Sequence, residues 1–137
     1  MTLMKKILVV DDDQRITTAL AIRLQHAGYD VQSAGDGFSG LRQAVTHKPD
    51  LILMDIMMPQ GMGFSVAERL PSFGLAEVPV IFLTASKRTG LRKTAEKLGA
   101  AGFFEKPYNA DELLAAVSLL LGAQENHPPT PAAASQV

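Results

Sequence analysis

Short aliphatic runs alternate with stretches of helical period from the N-terminus to Gly122. The runs fall at residues 6–10 (KILVV), 30–34 (DVQSA), 51–54 (LILM), 78–83 (VPVIFL) and 102–104 (GFF). Most are nearly continuous in apolar character, the pattern of strands buried on both faces. Between them the spacing becomes helical. Ile16, Leu20, Leu24 and Ala27 recur at i, i+4, i+8 and i+11 before Gly28 stops the helix. Residues 36–45 carry Phe38, Leu41 and Val45 on one side. There Gly37 and Gly40 each weaken the helix by roughly 1 kcal/mol relative to Ala if they lie in its interior. A third helix covers 64–70, and Pro71 and Gly74 shorten or break it. A fourth covers 87–98 and is closed by Gly99. The fifth opens at Asn109 with Glu112 three places on, in the manner of a capping box, and runs to Gly122. Five strand–helix alternations predict an α/β protein with a parallel sheet covered by helices on both faces.

Beyond Gly122 the pattern stops. Residues 123–137 (AQENHPPTPAAASQV) contain three prolines and no apolar period, and are expected to be a disordered tail or the start of a linker. At 137 residues and 14.7 kDa the chain has the length of one domain. Thirteen Lys plus Arg against fourteen Asp plus Glu leave a net charge of −1, which argues against general nucleic-acid binding and against attraction to a membrane surface. The absence of cysteine rules out disulfides and thiolate metal sites. The apolar run before the first acids is too short for a signal peptide, and no window approaches the roughly 18 apolar residues of a membrane span. A cytoplasmic protein is the expectation.

Polar residues interrupt the apolar runs at one kind of place. Asp11, Asp12 and Asp13 follow the first predicted strand, Asp55 the third, Thr84 the fourth and Lys106 the fifth. In an open parallel α/β sheet ligands bind at the carboxyl ends of the strands, so these residues are predicted to share one edge. Carboxylates crowded together do not all stay ionised without a cation, and hard oxygen ligands suit Mg²⁺. Such an ion keeps waters and shares its shell with phosphate, and a carboxylate beside it can accept a phosphoryl group as an aspartyl phosphate. Lys106 offers an ammonium and Thr84 a hydroxyl to the phosphoryl oxygens. The constellation reads as a Mg²⁺-dependent phosphoryl-acceptor site.

The segments ILVVDDD, LILMDIMMP, VPVIFLTA and LGAAGFFEKPY, in this order and spacing, resemble the signature segments of the receiver domain of two-component response regulators. The resemblance covers residues 4–122. It implies a doubly wound, flavodoxin-like sheet of five parallel strands in the order 2-1-3-4-5. It implies that Asp55 is the phosphorylation site, that Asp12 is a direct Mg²⁺ ligand with Asp11 acting mainly through a water, and that the backbone carbonyl of Met57 completes the protein's share of the metal shell. Thr84 and Lys106 would bind the phosphoryl oxygens, and Phe103 would be the aromatic that turns inward on activation. The implied partners are a sensor histidine kinase or a histidine phosphotransfer protein, and a downstream protein met through the fourth helix, fifth strand and fifth helix, with no direct nucleic-acid or membrane contact. The implied role is a signalling receiver that catalyses its own phosphorylation and dephosphorylation, without turnover of an external substrate.

Some residues carry plainer readings. Asp13, before QRITTAL, suits the N-cap of the first helix more than a metal. Phe104 is expected in the core, and Gly63 at a turn with positive φ. His26, His47 and His127 have no spacing that suggests catalysis, and are expected at the surface. Met57 and Ser86 flank the expected site. Where the family often has Met-Asp before the loop glycine, this chain has Gly61-Met62. Ala101 and Gly102 stand where many receivers that pair through the fourth and fifth helices carry acids, which speaks against that ion-paired dimer. Lys87, Arg88, Arg92, Lys93 and Lys97 form either a solvated face or a docking surface for an acidic partner. Two other classes compete. A phosphatase of the haloacid-dehalogenase kind also forms an aspartyl phosphate, but places nucleophile and acid on one strand as Asp-x-Asp. A flavodoxin-like cofactor binder is disfavoured by the acidic strand ends and the lack of Trp. A narrower alternative keeps the receiver fold as a part cut from a longer chain.

Overall fold

The computed structural model describes residues 4–58 and 63–122. Gly61, Met62, the expected tail at 123–137 and His127 lie outside the described residues. The elements run β1 (Lys6–Val10), α1 (Gln14–His26), β2 (Asp30–Ala34), α2 (Gly37–His47), β3 (Leu51–Asp55), α3 (Gly63–Arg69), a 3-10 turn (Leu70–Phe73), β4 (Val80–Thr84), α4 (Leu91–Lys97), β5 (Gly102–Glu105) and α5 (Ala110–Leu121). All strand pairs are parallel and the order is β2-β1-β3-β4-β5, as expected.

Every residue of β3 and of β4 is buried, because helices cover both faces of the sheet centre. Strand alternation then divides the core in two. Leu8, Val10, Ile52, Met54, Val80 and Phe82 pack with α2, α3 and α4, represented by Ala44, Phe64, Leu91 and Ala95. Ile7, Val9, Leu51, Leu53, Ile81 and Leu83 pack with Leu20 and Leu24 of α1 and Leu113 and Val117 of α5. The Phe64 and Phe82 rings meet edge-on with centroids 5.0 Å apart, a favoured aromatic geometry.

The caps follow the sequence closely. Asp13 caps α1 by accepting the Arg15 N–H at 3.0 Å, and Asn109 caps α5 by accepting the Glu112 N–H at 3.0 Å. Pro71 lies within the 3-10 turn that follows α3, and Gly74 ends it in a left-handed conformation with φ 76°.

Three expectations are corrected. Phe38 is 67% exposed, and the inward face of α2 is Gly37, Gly40 and Ala44. The helix lies so close on β1 that a Cβ at Gly40 would stand 2.9 Å from a Val10 methyl, so small residues form its core stripe, with Leu41 half-buried against the core beside them and Val45 exposed. The fourth helix begins at Leu91, because Gly90 with φ 89° occupies its N-cap, so Lys87 and Arg88 lie before it. Among the described residues the positive-φ glycines are Gly28, Gly74, Gly90, Gly99 and Gly122, and Gly63 is not one of them. It is needed instead for close approach: a Cβ there would run into the Asp55 carbonyl oxygen and stand 2.7 Å from Met54 Cγ.

Because one of those neighbours is backbone, it cannot simply swing aside. Gly63→Ala should destabilise the protein by about 2 kcal/mol, an overpacking cost that exceeds the roughly 1 kcal/mol helix-propensity gain. Urea unfolding would read this as a lowered midpoint at unchanged m-value, and a midpoint at or above wild type would contradict it.

Candidate functional site

Parallel strands in register end together. β3 closes at Asp55 and β4 at Thr84, with Asp55 beside Leu83 and Thr84 beside Glu105. Asp11 follows the last residue of β1, and Lys106 the last residue of β5. The chain passes from β1 outward to β2, then back to β3 on the other side of β1. That reversal opens a crevice between the β1 and β3 ends, and Asp11 and Asp55 flank it.

One carboxylate oxygen each from Asp11, Asp12 and Asp55 lie within 4.8 Å of one another. Asp11 and Asp55 are only 2% and 4% exposed, whereas Asp12 faces solvent. The Lys106 ammonium donates to Asp11 Oδ2 at 2.6 Å and stands 3.7 Å from Asp55 Oδ2. The other Asp11 oxygen accepts the Asp13 N–H at 2.9 Å, which ties the acidic loop to the start of α1. The cleft that these groups line also includes Met57 and Ser86. Thr84 is fully buried at the strand end, and its hydroxyl accepts the Ser86 N–H at 3.0 Å. The Lys106 N–H donates to the Thr84 carbonyl at 2.7 Å, and the Lys106–Pro107 peptide is cis.

The sequence therefore brings Asp11, Asp12, Asp55, Met57, Ser86 and Lys106 to one cleft. Asp13 borders it while its carboxylate caps α1. Phe103 lies elsewhere, opposite Phe82 in β5 and half-buried on the α4 side, whereas Phe104 packs on the opposite face toward α1 and α5. His26 and His47 sit in the last turns of α1 and α2, away from the cleft. Two residues beside the cleft, Thr17 and Tyr108, have no role assigned from the sequence alone. The Thr17 hydroxyl donates to the Asp13 carbonyl at 3.1 Å and reaches toward the Asp11 carbonyl at 3.4 Å, holding the loop from beneath. Tyr108, just past the cis bond, has its phenol pKa raised by burial, with Lys106 opposing and Asp11 adding to the rise. The signal for Thr17 was its place four residues after Asp13, where a helix donor reaches back to its cap.

Three carboxylates face one ammonium, and the imbalance falls on Asp55. Burial, then the Asp11 charge, push its pKa up to about 6, with Asp12 adding to the rise; Lys106 and the Met57 N–H pull the other way. Burial works against the Lys106 ammonium, but its hydrogen bond to Asp11 and the Asp55 charge outweigh it and raise its pKa. An all-oxygen donor set with surplus negative charge and one solvent-facing acid fits a hard divalent cation such as Mg²⁺.

A doubly wound sheet of order 2-1-3-4-5 with acids at its switch point defines the CheY-like class of flavodoxin-like α/β proteins. Residues 7–118 match the response regulator receiver domain, and the chain belongs to that family. It is 40% identical over 126 residues to the DNA-binding dual master transcriptional regulator RpaA of a Synechocystis species, covering 91% of this chain and 52% of that protein. A response regulator receiver domain protein (CheY-like) from Methanospirillum hungatei superposes with a TM-score of 0.81 at 27% identity, over 92% of this chain and all of that one. The chemotaxis protein CheY4 of Vibrio cholerae superposes with a TM-score of 0.78 at 32% identity, over 86% of this chain and 99% of its own. The chain spans about half the length of the curated relatives it matches. No helix among the described residues is long and apolar enough to cross a membrane.

The raised Asp55 pKa has a stability consequence. Between its ordinary 3.8 and about 6, folded Asp55 holds a proton that the unfolded chain releases, so stability is lost as pH rises through that window. In metal-free protein the loss should reach at most about 3 kcal/mol by neutral pH. Asp55→Asn should therefore be more stable than wild type at pH 7.5 in EDTA, and the gap should close toward pH 4. Denaturant melts of both proteins across that range test it, and a gap independent of pH would refute the charge argument.

Proposed function

We propose that the chain is a phosphoryl-accepting signalling switch in which Asp55 takes the phosphoryl group. The observation that carries this reading is the Asp55 carboxylate, at the cleft, crowded by two further acids and 3.7 Å from the Lys106 ammonium. The donor is a phosphohistidine on a sensor histidine kinase or a phosphotransfer protein. An Asp55 carboxylate oxygen attacks phosphorus, the phosphorus–nitrogen bond breaks, and the imidazole leaves with the electron pair. Asp12 directly, Asp11 mainly through water, Asp55 and the Met57 carbonyl would hold Mg²⁺. When bound, that ion supplies positive charge to the phosphoryl oxygens and to the acids around them.

The Lys106 ammonium already sits between Asp11 and Asp55, so a phosphoryl group on Asp55 falls within its reach. The Thr84 hydroxyl turns from its local bond with Ser86 toward the new oxygens, and Phe103 moves inward into the space it leaves. The surface of α4, β5 and α5 then shifts toward an active population that a downstream protein recognises. Residues 4–122 form the receiver unit, 123–137 are a tail or linker, and the site of action is the cytoplasm. No external substrate is turned over.

With Mg²⁺ and acetyl phosphate the protein should gain one phosphate by mass, and Asp55→Asn should gain none. EDTA should suppress the gain in wild type. Labelling that survives in Asp55→Asn would sink the assignment.

A further inference from the structure

We propose that Arg92 is a positioning residue for the switch, holding Phe103 in its resting place and so setting how much protein is active before phosphorylation. The inference deepens the reading of Phe103 given above and rests on it. The Arg92 guanidinium lies over the Phe103 ring, 4.6 Å from its centroid, within cation–π range. Phe103 is half-buried, with the α2–α3–α4 side of the core beneath it, and Arg92 is exposed. Among the described residues Arg92 makes none of the ion pairs, which join other residues, so its charge is not already committed to a carboxylate.

The contact joins the elements that the switch has to move. Strand alternation puts Thr84 on the same face as Phe82, the register partner of Phe103, so the cleft hydroxyl and the ring share one side of the β4–β5 pair. Arg92 stands in the first turn of α4, a helix of two turns whose Gly90 N-cap provides no side-chain bond. A short helix without a side-chain cap is among the easiest parts of a fold to displace. Arg92 ties that turn to β5, so Phe103 leaves its place only by giving up the guanidinium. Lys93, the next residue, carries the same charge, and the aromatic contact is made by Arg92.

An exposed contact of this kind is worth a factor of about two to five in a two-state population. Beryllofluoride, which can stand in for the phosphoryl group on a carboxylate, gives the readout in the intact chain with Mg²⁺. Arg92→Ala should bind it about two- to fivefold more tightly than wild type, because less free energy is spent releasing the ring. Lys93→Ala, with the same loss of charge, should bind as wild type does. Arg92→Lys should fall between. In a Phe103→Leu background, Arg92→Ala should change nothing further. The contact has its own signature: the Arg92 δ-proton resonances should be shifted upfield by the ring current in wild type and return in Phe103→Leu. Equal effects of Arg92→Ala and Lys93→Ala, an effect that persists without the ring, or unshifted δ-protons would each overturn the latch while leaving Asp55 phosphorylation standing. Failure of wild type to take up beryllofluoride would instead overturn the Asp55 reading, and the regulatory role of Arg92 with it.

Discussion

The short hydrogen bond from the Lys106 ammonium to buried Asp11 is the contact on which the rest of the site depends. It spans 95 residues of sequence and closes β5 onto the loop after β1. Taking a carboxylate and an ammonium out of water is costly, and the pair is tolerated because each has further partners. Asp11 also accepts the Asp13 N–H, and Lys106 also lies near Asp55. The one ammonium serves two acids well enough to keep its own proton but not well enough to keep Asp55 in the ordinary carboxylate range. The fold therefore concentrates negative charge where the strand order reverses and leaves it only partly answered.

Close backbone packing is what holds that charge in place. Gly63 allows the start of α3 to lie against the Asp55 carbonyl, and Gly40 allows α2 to lie against Val10, the residue before Asp11. Both glycines act behind the acids rather than beside them. The first α1 turn works in the same way, since Thr17 and Asp13 spend their hydrogen bonds on fixing the loop that presents Asp11 and Asp12. A carboxylate cluster on a freely moving loop would relax by spreading apart. Here β1 and β3 pair in fixed register up to the site, so Asp11 and Asp55 do not separate.

Much of this was legible in the sequence, and most of the failures come from how closely the elements pack. Nearly continuous apolar strands gave away a sheet covered on both faces, and the polar residues at their ends gave away the edge that carries the acids. Asp13 and Asn109 capped their helices because capping is a local matter, settled within three residues. Phe38 misled because helix period tells which residues share a side but not how near the sheet lies. At the distance α2 adopts, the side that turns inward is the one with glycines. The constraint at Gly63 is space rather than backbone freedom, which is visible only once α3 and β3 are set against each other. The fourth helix lost Lys87 and Arg88 because a glycine in the left-handed region outweighs a run of good helix formers. The contact of Arg92 with Phe103 lies across α4 and β5, where no spacing rule reaches.

Charge segregation completes the picture. The net charge of −1 conceals a segment, residues 87–97, with five basic side chains and one acidic one, opposite in sign to the acids of the cleft. Two of those bases are engaged, Lys87 with Glu105 and Arg92 with Phe103. On the reading proposed above, phosphorylation adds about one negative charge to the cleft, since an aspartyl phosphate carries about two where the carboxylate carried one. At an effective dielectric of about 20 each unit-charge pair at 4 Å is worth about 4 kcal/mol, against at most about 1 kcal/mol for an exposed cation–π contact. The driving interaction exceeds the restraint severalfold. Arg92 therefore cannot block activation once Asp55 carries its phosphoryl group; it acts on the resting state, where nothing larger opposes it.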